Sequence, residues 1–228
     1  LVLSLPGCGG FRDTKPQLPG NLDTLCMPDY ASGFEMYRYD SSTLLRIVNP
    51  WQGADSVSQW VFLSRDDEKP PKGFAGETID VPVRRIVCMS SSYVAFLEAL
   101  GADSTICAIS GTGYIWSDKV RNRIAGGEIA EAGFDNSLNF EKLVALKPDV
   151  VFLYGLTGKN AVTDKLHELG LKTVYIGDYV ENNPLGRAEW ITVFGEFTGR
   201  RELARTLFDS ISNEYNRAKA LVSGVEKR

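Results

Sequence analysis

The chain has 228 residues, 43% of them hydrophobic, with 25 Lys and Arg against 29 Asp and Glu for a formal charge of -4. That is enough apolar material for a substantial core. The absence of a Lys/Arg-rich run excludes a nucleic-acid partner, and no apolar stretch reaches the ~20 residues that cross a bilayer.

Leu1-Val2-Leu3-Ser4-Leu5-Pro6-Gly7-Cys8 reads as the tail of a signal-peptide apolar region entering a cysteine. This is similar to a bacterial lipobox, which makes Cys8 the expected lipid anchor, the protein's only expected tie to a membrane. Residues 1–28, rich in Gly, Pro and Asp after Cys8, then form signal remnant and tether. Residues 29–81 read as an antiparallel β meander plus linker: Phe34 to Tyr39, a turn at Asp40-Ser41-Ser42, Leu44 to Val48, and Trp60 to Leu63, followed by a loop over 65–82.

From Arg84 the pattern becomes strand, loop, helix, strand. Arg85 to Met89, Ile106 to Ser110, Val150 to Tyr154 and Thr173 to Gly177 are short apolar runs of the kind buried on both faces. Helices follow at Ser90 to Gly101, from Asn139 to before Pro148, and from about Asn160 to Leu169. This alternation predicts an α/β lobe over 82–187 with a parallel, Rossmann-like sheet flanked by helices. Residues 188–228 carry two helical stripes, Trp190, Val193, Phe194, Phe197 and then Leu203, Leu207, Ile211, Tyr215, Ala218, Val222. Cys88 and Cys107 sit in strand-like runs and read as core thiols; whether they are bridged stays open.

Open parallel sheets bind ligands at the carboxyl ends of their strands. The residues there are Ser90 to Tyr93, Tyr114 with Trp116, Tyr154, and Asp178-Tyr179. Ser91, Ser92, Tyr93, Tyr114, Trp116, Tyr154 and Tyr179 are therefore the candidate ligand-binding residues, flat rings with polar tips suited to a large ligand. Tyr93 equally fits the core stripe of its own helix, and the serines equally fit helix capping. No phosphate loop, dinucleotide fingerprint or nucleophile elbow is present, so no catalytic residue and no cofactor is expected. The single histidine, His167, reads as solvated or as a helix-terminal cation and cannot make a metal site alone. Any metal therefore comes with the ligand. Lys159 and Arg187 are candidate partners for an anionic chelate, with surface solvation as the plainer role.

Several stretches resemble the cobalamin and ferric-siderophore class of ABC-importer substrate-binding proteins. They are Arg85 to Ser90 with Leu97 to Gly101, Ser137 to Leu143 with Leu146 to Val151, Leu169 to Leu171 leading to Val174, and Glu189-Trp190-Ile191 with Gly195 and Thr198-Gly199. The meander with Asn49-Pro50-Trp51 is similar to an extension of Bacteroidetes-type members. The resemblance implies an N-terminal lobe, a long interlobe helix, and a cleft that captures a ferric siderophore, haem or cobalamin and delivers it to ABC permease subunits from the periplasm or cell surface. It implies Glu141 as the carboxylate that docks on the transporter, although a Glu at that helix position also complements the helix dipole. The second lobe it implies is absent from the 228 residues. Two alternatives stay open: a lipid-anchored α/β enzyme acting on a nucleotide or sugar through Asp178 and Glu181, and a capture protein that meets no transporter.

Overall fold

The computed structural model describes residues 23–134, 137–155 and 161–222. Two five-stranded sheets organise it. The first runs in the order β1 (Asp23–Cys26), β2 (Phe34–Tyr39), β3 (Ser42–Val48), β4 (Ser58–Ser64), β5 (Glu77–Asp80). The first four strands are antiparallel neighbours, and β5 joins β4 in parallel. The expected meander is β2 to β4. Its two outer strands lie where a tether and a loop were expected, because four-residue strands with charged ends carry too little alternation to read.

The second sheet is wholly parallel, in the order β10 (Thr173–Tyr175), β9 (Val150–Leu153), β6 (Ile86–Cys88), β7 (Ile106–Ile109), β8 (Ala130–Glu131). The chain starts in the middle at β6, builds outward through β7 and β8, then returns to the other side through β9 and β10. The topological switch point, where open sheets of this kind have their crevice, therefore falls between β6 and β9. Helices α1 (Ser91–Ala99), α2 (Asp118–Ala125), α3 (Phe140–Leu146) and α4 (Ala161–Glu168) make the crossovers. Ser90 caps α1 and Asn139 caps α3, its side chain accepting from the Lys142 amide at 2.9 Å.

Helices α5 (Pro184–Glu189), α6 (Ile191–Thr198) and α7 (Arg201–Val222) follow β10. At 22 residues α7 is about 33 Å long. Of its own residues it buries Ala204 and Phe208, and leaves Leu203, Ile211 and Tyr215 about 40% exposed.

The two sheets share one core. Phe34, Met36, Leu45, Ile47, Val61 and Leu63 of the first pack with Ile86, Phe152, Val174, Trp190, Phe194 and Phe197 of the second unit. Phe34 meets Trp190 edge-on at 5.0 Å, and Phe152 meets Phe197 at 4.9 Å.

Three buried glutamates fasten this arrangement. Glu189 accepts the backbone amides of Asp29, Tyr30 and Ala31 at 2.8–2.9 Å. Glu181 accepts those of Ser32 and Gly33 at 2.9–3.0 Å, along with the indole of Trp190. Glu196 accepts from Thr43 at 2.9 Å and pairs with Arg201 and Arg65. Each carboxylate is 3% exposed or less, so its charge is stabilised by aimed donors rather than water. The edge of β10 is closed by one side chain. Gln59 of β4 donates to the Thr173 carbonyl at 2.8 Å and accepts from the Tyr175 amide at 2.9 Å, imitating a neighbouring strand.

Candidate functional site

The carboxyl rim of the parallel sheet divides into two parts. Beyond β7 and β8 it is open and aromatic. Trp116 is 91% exposed, Tyr114 70% and Phe134 49%. Gly111 adopts φ +75°, and a Cβ there would fall 2.8 Å from the Tyr114 ring and 3.3 Å from Phe134, so glycine lets the two rings close over the turn.

Glu131 sets that turn. Its carboxylate accepts the amides of Gly111, Thr112 and Gly133 at 2.8–3.0 Å and the Thr112 hydroxyl at 2.6 Å. Partial desolvation pushes this carboxyl up, yet the Thr112 hydroxyl and the three amides outweigh it and hold the group below its ordinary pKa. It is an organiser of loops rather than a proton donor.

At the crevice, Ser91 is exposed and Ser92 half-buried, its hydroxyl 3.0 Å from Ser90 Oγ. Ser92 also hydrogen-bonds Asp178, tying the loop after β6 to the loop after β10. Burial raises the Asp178 carboxyl above its ordinary pKa although the Ser92 hydroxyl, the Tyr179 amide and Arg187 act against it. Tyr93 has to be removed from the candidate ligand-binding residues. It is fully buried, packs on Phe152 and Phe194, and its hydroxyl donates to the carbonyls of Leu153 and Ile176 at 3.2 Å. The core stripe of α1 claims it.

Beyond β9 and β10 the rim is partly roofed by the turn after β3. Trp51 forms a bridge with Gly155, and its ring stands 5.2 Å from Tyr175. A Cβ on Gly155 would lie 2.8 Å from that indole, so the approach requires glycine. Tyr154 and Tyr179 are half-buried here. The Tyr179 hydroxyl donates to the Gly155 carbonyl and receives the Gln52 amide at 3.3 Å. A cleft of about 600 Å³ opens beside it, between the 48–54 turn and the segment 179–187.

Glu141 stands exposed in the first turn of α3. His167 is not simply solvated: its Nε2 lies 2.6 Å from Thr173 Oγ1 and 3.4 Å from Glu77. Cys88 and Cys107 are free thiols in separate core clusters, on opposite sides of the sheet. Burial pushes both thiols up. Cys8 and Lys159 lie outside the described residues. Among the described residues there is no cluster of three metal-binding side chains, and no helix is long and apolar enough to cross a membrane. Reasoning from sequence missed Phe134, Glu131 and Trp51. Phe134 follows a two-residue strand that leaves no periodic signal, and the role of Trp51 depends on contact with a strand end a hundred residues away.

A family described as periplasmic binding protein matches residues 86–228, more than half of the chain. An uncharacterized lipoprotein of Methanocaldococcus jannaschii is 29% identical over 204 residues, 81% of this chain and 49% of its own length. The chain thus spans about half the length of the curated relatives it matches. Among solved structures, a periplasmic haem-binding protein from Pseudomonas aeruginosa superposes with a TM-score of 0.50 at 18% identity, over 62% of this chain and 47% of that one. A periplasmic solute-binding protein from Veillonella parvula gives 0.51 at 18%, over 66% and 46%. At such identities these structures speak for the fold.

Proposed function

The chain belongs to the periplasmic binding protein family, and from that premise we propose that it captures a metal chelate outside the cytoplasm and hands it intact to an ABC permease. The chelate is of the ferric-siderophore, haem or cobalamin type. Residues 82–187 supply one wall of the capture site and 188–228 the helical segment that leaves it. Cys8 carries the lipid that keeps the protein at the membrane, in keeping with relatives named as lipoproteins.

The observation that carries this reading is the open aromatic rim: Tyr114, Trp116 and Phe134 stand in solvent at the strand ends of a parallel sheet, and Ser91, after β6, is exposed as well. Three large rings kept in water cost the fold the burial they could otherwise have had. A broad, partly aromatic ligand would recover that loss by stacking on them. The site's carboxylates do not favour catalysis. Of the pair Asp178 and Glu181 that the enzyme alternative needs, Glu181 is taken up by the Ser32 and Gly33 amides and the Trp190 indole, so it is not free to act as the second acid or base.

Titration against a ferric siderophore, haem and cobalamin tests the proposal. Saturable binding of at least one is expected, weakened at least tenfold by Trp116→Ala with no change in melting temperature. Silence toward all three would refute it. Glu141→Ala should leave binding intact and impair uptake in cells; unimpaired uptake would favour the capture protein that meets no transporter.

A further inference from the structure

The cleft of about 600 Å³ at the β9 and β10 end of the rim, across β6 from Tyr114 and Trp116, is within the range of small-molecule sites and of different character from the aromatic rings. Asn49, Trp51, Gln52, Tyr179, Asn182 and Arg187 line it. Glu181 also borders it, but that carboxylate is taken up by the amides of Ser32 and Gly33, the Ser32 hydroxyl and the Trp190 indole. Asn49 already uses its oxygen to accept the Val57 amide at 3.0 Å, which leaves it donors to offer.

Arg187 is the one cation of the lining. Its Nε donates to the Glu181 carbonyl at 3.2 Å, which holds the guanidinium against the wall. Among the described residues its terminal nitrogens meet no acceptor, and it is exposed to solvent. A guanidinium pinned at Nε, with both terminal nitrogens open and amide side chains in the same lining, matches a carboxylate in bidentate fashion. A phosphate dianion would call for a second cation, which the lining lacks.

We propose that this cleft is a carboxylate subsite, in which Arg187 holds an acidic arm of the ligand. The inference rests on the capture reading for what bears the carboxylate, not for the carboxylate itself. The first sheet is then part of the binding apparatus, because its 48–54 turn supplies half the cleft.

The four tryptophans allow the two regions to be read separately. Protein labelled with 5-fluorotryptophan gives one fluorine resonance per indole, assigned with Trp51→Phe and Trp116→Phe. Sodium citrate should shift the Trp51 resonance saturably and leave Trp116 unmoved, whereas inorganic phosphate at equal concentration should leave both unmoved. Arg187→Gln should weaken the citrate response at least tenfold, and Arg187→Lys should restore part of it. A Trp51 signal indifferent to citrate, or equally responsive in Arg187→Gln, or equally responsive to phosphate, would overturn the subsite. The response of Trp116 to haem, a ferric siderophore and cobalamin judges the capture reading independently.

Discussion

Replacing Glu189 by alanine removes the acceptor of three consecutive backbone amides at 2.8–2.9 Å, on a residue only 3% exposed. Hydrogen bonds to a charged acceptor contribute ~1.5–3 kcal/mol each when their partner would otherwise be left unpaired. The full sum does not apply, because Asp29 is exposed and Tyr30 half-exposed, so water can take over part of what they lose; the Ala31 amide is buried and cannot be compensated. A loss of about 3–5 kcal/mol is expected, in the range for breaking a buried charged network. For a protein of this size that corresponds to a fall in melting temperature of roughly 6–20 °C. Glu189→Gln should fall about midway, since one amide oxygen can still serve Tyr30 and Ala31 while its NH2 group opposes the Asp29 N–H. Urea unfolding of the three proteins should give midpoints in the order wild type, Gln, Ala with a constant m-value. Hydrogen exchange at residues 29–31 should accelerate most in Glu189→Ala. A fall below about 2 °C, with protection at 29–31 unchanged, would show that the glutamate straps do not hold the first sheet to the helices.

Gln59→Ala should uncover the Thr173 carbonyl and Tyr175 amide on the edge of β10, lowering stability by ~2–4 kcal/mol and promoting self-association measurable by light scattering. Tyr93→Phe should lower stability by about 1 kcal/mol through its lost hydrogen bonds and leave chelate affinity unchanged; a marked loss of affinity would return Tyr93 to the site. Asp178 has a folded pKa raised chiefly by burial, so its contribution to stability is present below the ordinary carboxylate range and is lost as pH rises through the raised value. Asp178→Asn should therefore gain stability relative to wild type on going from pH 4 to pH 7, read as the difference in thermal midpoints, and a constant difference would argue against it.

Much of the rim is legible in the sequence. Ser91, Tyr114 and Trp116 are where strand-then-loop grammar puts them, because a short apolar run buried on both faces ends where the next residues reach water. Tyr93 was not separable on that basis: its position in the loop-to-helix junction and its place on the helix's apolar face gave opposite answers, and only packing against Phe152 and Phe194 decides between them. The glutamates at 181, 189 and 196 were invisible as staples, since nothing in a sequence says which carboxylate will meet backbone amides, or in the case of Glu196 the Thr43 hydroxyl, about 150 residues away.

Local pattern, then, was sufficient for the strands and capped helices of the parallel lobe, the antiparallel hairpins of β2 to β4 and the long terminal helix, because apolar periodicity, caps and tight turns are set by residues close in the chain. What tertiary structure alone decided was how the two sheets join: one shared core, Gln59 closing the edge of β10, and Trp51 roofing half of the rim to leave a cleft beside Arg187. Those features depend on distances between segments that are remote in sequence, and hydrophobic periodicity, which records only which face is buried, carries no information about the surface it is buried against.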